Sequence, residues 1–157
     1  MRISSRELFV AAAVVVLVIA FFVARRHSAQ PVIRASAVRT PGALNPDVTQ
    51  ATIDSTICVR GWTKTVRPPV EYTNDLKLKQ MREYGETGAT SQYQEDHLIS
   101  LELGGAPTDP RNLWPEPYPR AATVDKIENE LNAKVCSGGL SLADAQRQEW
   151  ALKHRDG

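Results

Sequence analysis

Several common catalytic signatures are missing from the 157 residues of this chain. There is no Gly-x-Gly-x-x-Gly fingerprint, no Walker loop, no Gly-x-Ser-x-Gly elbow and no Cys-x-x-Cys pair. The sequence therefore gives no sign of a dinucleotide, an ATP-type phosphate loop or a hydrolase nucleophile, and no organic cofactor is implied. Internal repeats are absent too. Cysteine occurs only twice, and the formal net charge of +1 is almost nil. A chain of this length has room for one domain and little more.

What is present begins with an apolar run. Leu8 to Ala24 contains no charge and no strongly polar group. As a helix it would be about 26 Å long, at the short end of what spans a hydrocarbon core. It is also longer than the usual apolar core of a cleaved export signal, and Arg25, Arg26 and His27 occupy the place of a cleavage site. Residues 1–24 therefore read as a single transmembrane anchor, with a cleaved signal as the alternative. Arginines flank the run on both sides, so the positive-inside rule leaves orientation nearly even. Cys58 and Cys136 tilt it: two cysteines behind an export-like N-terminus suggest one disulfide in an oxidising compartment, against the alternative of two buried thiols. The expected location is the bacterial cell envelope, with the domain outside the cytoplasm, or secreted if the N-terminus is removed.

Charge is divided along the chain. Arg60, Lys64, Arg67, Lys77, Lys79 and Arg82 face only Glu71 and Asp75 in the same stretch, whereas acidic residues dominate from Glu95 to Glu130. A basic half beside an acidic half suits an enzyme that holds phosphates with one part and a cation with the other. An ordinary salt-laced surface would look the same.

Residues 25–51, rich in Ala, Ser, Pro and Arg and without periodicity, read as a linker. The domain is expected over 52–157, opening with a short extended run through Ile53, Ile57 and Val59. Thr73 is a candidate N-cap for a helix from Asn74 to Tyr84, stopped by Gly85. Tyr93 to Leu103 reads as a strand closed by Gly104–Gly105, and Asn112 to Trp114 as a second strand stopped by Pro115. Val124, Ile127, Leu131 and Val135 then form one apolar face of a helix over Thr123–Val135. Ser141 with Asp144 resembles a capping box and opens a last helix toward Trp150.

The central order is strand, strand, helix. Glu95–Asp96–His97 lies on the first strand, Gly104–Gly105 follows it, Asn112–Leu113–Trp114–Pro115 lies on the second, and an acidic helix comes next. This order resembles the HNH nuclease superfamily, whose ββα-metal finger grips one divalent ion between hairpin and helix. Cys58–Val59–Arg60–Gly61–Trp62, Thr65–Val66–Arg67–Pro68–Pro69, Tyr72–Thr73–Asn74 and Val135–Cys136–Ser137–Gly138 also look like a group of small bacterial HNH-type proteins, so the resemblance covers roughly residues 52–150. It implies a small α+β domain containing a ββα-metal finger with flanking helices, behind the transmembrane helix.

The resemblance further implies that Asp96 is a metal ligand, His97 the general base, and Asn112 the residue that braces the hairpin and orients the imidazole. The chemistry suits these types: imidazole accepts a proton from water near neutrality, and carboxylates suit a hard cation. The expected ion is Mg²⁺, with Mn²⁺, Ni²⁺ or Zn²⁺ as alternatives, and without Cys-x-x-Cys pairs no structural zinc is expected. Many HNH fingers carry a His or Asn ligand on the helix; here Asp125, then Glu128, are the candidates, although acids near a helix start also suit its dipole. Arg60, Lys64, Arg67, Lys77 and Lys79 are the candidate phosphate-binding residues. The function expected is metal-dependent endonuclease action on nucleic acid, DNA before RNA, with the membrane as a second partner through residues 8–24. The alternative is an inactive HNH-like module that binds nucleic acid or an envelope partner.

Overall fold

A computed structural model describes residues 34–155 of the chain. The expected anchor lies outside them; among the described residues no helix is long and apolar enough to cross a membrane. Among the described residues, four helices and one two-stranded antiparallel sheet make a small α+β fold: α1 Trp62–Val66, α2 Val70–Tyr84, β1 Tyr93–His97, β2 Leu113–Pro117, α3 Tyr118–Cys136 and α4 Leu142–Arg155.

The two strands form a hairpin in which Glu95 faces Pro115, Asp96 faces Trp114 and His97 faces Leu113. Pro115 does not stop the second strand as expected. A two-stranded ribbon has a free edge on each strand, where a residue without an N–H is tolerated. The first strand ends at His97 rather than Leu103, because a 3₁₀ turn over Leu101–Leu103 follows, and Gly104 at φ 78° releases the chain from it.

Helix α3 starts at Tyr118, five residues before the expected Thr123, with Pro119 in its first turn, where a missing N–H costs nothing. Helix α2 likewise starts at Val70, directly after Pro69, and Thr73 lies inside its first turn with its hydroxyl on the Val70 carbonyl. Helix α1 was not expected; it fits between Gly61, at φ 86°, and Pro68. The expected extended run after Thr52 is instead a 3₁₀ turn over Ile53–Ser55, stabilised locally by the Thr52 and Thr56 hydroxyls. No partner strand is present there to hold it extended.

The linker reading fails from residue 34 onward. Ala35, Thr40, Asn45 and Val48 are buried, Leu44 bridges Gly105, and the Gly42 N–H donates to the Arg111 carbonyl. Val48 and Ile53 join Ile99, Leu103, Leu131, Val135 and Leu142 in the main core, while Ala35, Leu98 and Trp114 form a second cluster against Tyr84. Each fully buried Leu contributes about 1.5–3 kcal/mol.

Cys58 and Cys136 are disulfide-bonded, with Cα atoms 5.5 Å apart. The bond ties the segment before α1 to the end of α3. Beside it, the Asn132 amide donates to the carbonyls of Glu102 (2.8 Å) and Ile57 (3.3 Å), so α3 is held to the turn after β1 as well.

Candidate active site

The loop between the strands, residues 98–112, is built around one buried side chain. Asn112 accepts from the Ile99 N–H (2.9 Å) and donates to the carbonyls of Ile99 (3.0 Å) and Ala106 (3.1 Å). A Cβ on Gly105 would fall on the Ile99 carbonyl oxygen and crowd the Asn112 amide, so only glycine lets the loop close this tightly. Asn112 therefore braces the loop of the hairpin. It makes no bond to the imidazole; it acts at one remove, by fixing Ala106 beside Pro107.

Pro107 does reach the imidazole: its carbonyl lies 2.9 Å from His97 Nε2. A carbonyl only accepts, so Nε2 carries the hydrogen and the neutral ring keeps its lone pair on Nδ1. Burial lowers the His97 pKa below its ordinary 6.5, although the Pro107 bond and the Asp96 charge pull the other way. At neutral pH His97 is thus a base whose tautomer is set.

A cleft of about 300 Å³ lies over this histidine. Its walls include Glu95, Asp96, His97 and Ser100 from the hairpin, Glu102 from the following turn, Asp125 and Glu128 from α3, and Arg67 after α1. Neighbours on an ideal strand would face opposite ways, yet Asp96 and His97 both line the cleft; His97 is the last residue of β1, where the pleat gives way to the turn. One carboxylate oxygen from each of Asp96, Asp125 and Glu128 can be chosen so that all three lie within 4.8 Å of one another. Asp125 lies seven residues into α3, beyond the reach of the N-terminal dipole, so helix capping does not account for it.

Five carboxyls around one guanidinium leave the cleft short of positive charge. Burial pushes Glu95 up to about 8, partly offset by Lys77 and reinforced by Asp96. Burial raises Glu102, Asp125 and Glu128 as well. Ser100 is 5 % exposed, lines the same cleft, and its hydroxyl has no hydrogen-bond partner among the described residues. Hard oxygen donors in this number, with one hydroxyl unspent, fit a divalent cation.

Behind the cleft lies a group that sequence reasoning missed. Lys153 of α4 is fully buried, and its ammonium contacts Asp96 Oδ2 (2.7 Å), Glu128 Oε1 (2.6 Å) and the His97 carbonyl. Glu149, one turn earlier, stands 3.6 Å away and accepts from the Ser100 N–H at 2.9 Å. Glu116 pairs with Arg120 on the other side, and burial followed by the Asp96 charge pushes it up to about 9. Asp96 itself is held below the ordinary carboxylate value: burial is the largest influence and opposes ionisation, but the Lys153 charge, hydrogen bonds from Glu116 and Lys153 and the His97 charge together outweigh it. One trace of this network is visible in the sequence. The inward stripe of α4 runs Leu142, Ala145, Glu149, Lys153, so an oppositely charged pair at helical spacing occupies positions an amphipathic helix gives to apolar residues.

Of the five basic residues expected to hold phosphates, Arg67 alone lines the cleft. Arg60 borders a separate depression beside the disulfide, exposed Lys64 lies on α1, Lys77 donates to the Tyr93 carbonyl, and Lys79 pairs with Glu83 along α2.

Searches for a matching protein family, curated protein or solved structure found none.

Proposed function

We propose that this chain is a metal-dependent endonuclease, cutting nucleic-acid phosphodiester bonds with His97 as general base beside a single divalent cation, Mg²⁺ first. The observation that carries the reading is the meeting, in one cleft, of an imidazole of fixed tautomer with three convergent carboxylates from hairpin and helix. The HNH resemblance supports it through the same order of elements, β1, β2 and α3.

Asp96, Asp125 and Glu128 would hold the ion, which when bound neutralises charge on the phosphate and on the departing oxygen. The chain does the rest. His97 Nδ1 takes the proton of the attacking water, while Pro107 keeps the ring from turning and stabilises the imidazolium through Nε2–H. Arg67, the one cationic side chain among the cleft walls, orients a phosphate. Asn112 holds the loop that carries Pro107. The domain would act outside the cytoplasm, tethered through residues 8–24.

One observation favours a second reading. Lys153 already forms ion pairs with Asp96 and Glu128, so the cluster is partly neutralised without a metal, as an inactive binding module would need. Cleavage decides between them. The full-length chain in mild detergent should nick supercoiled plasmid in Mg²⁺ or Mn²⁺ and stop in EDTA; a folded chain that binds DNA but never cuts it, whichever divalent ion is supplied, is the inactive module.

A further inference from the structure

The Lys153 ammonium donates to Asp96 and to the His97 carbonyl and forms an ion pair with Glu128. Two of these three are carboxylates that also face Asp125 across the candidate ion position. We infer that Lys153 is a resident counter-cation of the acidic centre, sharing Asp96 and Glu128 with the divalent ion and so keeping that ion weakly and reversibly bound. This rests on the metal-centre reading above and goes beyond it, because it says what sets the affinity.

Without any positive charge the buried ends of Asp96 and Glu128 would repel one another and be pushed toward protonation. Lys153 prevents that by approaching from the closed side, through α4, while the cleft approaches from the open side. The cluster is therefore formed before the ion arrives. The same fixed charge then repels the incoming ion and draws on the same two carboxylates, so preorganisation is gained at the expense of affinity. The ammonium also holds the backbone of His97, which couples the base to the cluster through a second, independent bond. Lys153 is accordingly a positioning residue, acting through Asp96, Glu128 and His97. The buried, unpartnered Ser100 hydroxyl, which lines the same cleft as the three carboxylates, is the independent indication that something besides Lys153 completes the site.

Lys153→Met keeps most of the length of the side chain, ending one atom short of the ammonium, and deletes its charge. A purely structural lysine would leave metal affinity unchanged or weaker in the variant, because the ligands would be disordered. A counter-cation gives the opposite sign: Mn²⁺ should bind the full-length variant at least about tenfold more tightly than wild type, since even in water a nearby unit charge acts on a divalent ion by more than that factor. The rise in Tm on adding Mn²⁺ should be larger as well. Equal or weaker binding in a folded variant overturns the inference and leaves the metal centre standing; no Mn²⁺ binding by either chain overturns both. Should the variant not fold even with Mn²⁺, the wild-type chain still answers. The side-chain ¹⁵N resonance of Lys153 must shift on Mg²⁺ titration with the midpoint of the site, and a resonance that does not move refutes the sharing.

Discussion

At the scale of single residues the proposed chemistry turns on His97. Its Nε2 is committed to the Pro107 carbonyl and its burial favours the uncharged ring, so the reactive form is dominant at neutrality. The rate should depend on pH accordingly. Protonation disables the base, so kcat/KM should rise with pH through one acid limb and level off, and the midpoint of that limb should lie below the ordinary 6.5. A pH–rate profile in saturating Mg²⁺ measures it; a midpoint well above 6.5 would mean that the Asp96 charge, not burial, governs the ring. Asp96 and His97 could be picked from the sequence because they are adjacent and sit among recognisable neighbours. Lys153 could not, since its contact with Asp96 spans 57 positions and a lone lysine near a chain end ordinarily marks solvent. The same holds for Ser100, whose significance is only that its hydroxyl is buried and unspent.

Elements position these groups, and the hairpin loop does most of it. Asn112 makes three buried hydrogen bonds to that loop, so Asn112→Ala strands the Ile99 N–H and the carbonyls of Ile99 and Ala106. Each buried group left unpaired costs about 1–3 kcal/mol, which sets an expected loss of about 3 kcal/mol or more in urea unfolding. A loss under about 1 kcal/mol would show that the loop is braced by something else. The periodic part of α3 was legible from Val124 to Val135, and so was its end at the disulfide. Its start was not, because Pro115, Pro117 and Pro119 look like breakers in a row. In the structure the first two lie on a free-edged strand and the third in a first helical turn, all positions that need no N–H. The error had a consequence for the site: an early helix start turns Asp125 from a plausible dipole partner into a cleft residue. Residues 34–51 misled for a different reason. They pack through turns and single buried side chains such as Val48 and Thr40, which leave no period to detect.

For the whole molecule the dominant fact is an excess of buried acid held around Lys153, Arg120 and Arg67. Glu95 at about 8 and Glu116 at about 9 keep protons in the folded state that the unfolded chain releases near the ordinary 4.5. Above that value the folded state binds more protons than the unfolded, so stability must fall as pH rises toward 8–9. The lowered pKa of His97 acts the other way, but only below 6.5, so from pH 7 to 9 the carboxyls act unopposed by it. The Tm in EDTA should therefore drop across that range; a flat or rising Tm would show that these acids are ionised and compensated. The disulfide links positions 78 apart, and beside it the Asn132 amide holds α3 against the turn that carries Glu102. One comparison tests the proposed mechanism most directly: nicking of supercoiled plasmid by full-length wild type and His97→Ala, with Mn²⁺ binding measured on the same preparations. Wild type should cut only with a divalent ion, while the variant should bind Mn²⁺ as tightly and DNA nearly as well, yet turn over about 10²–10⁴ times more slowly. Cleavage that persists in EDTA, or a His97→Ala chain that cuts at the wild-type rate, would contradict it.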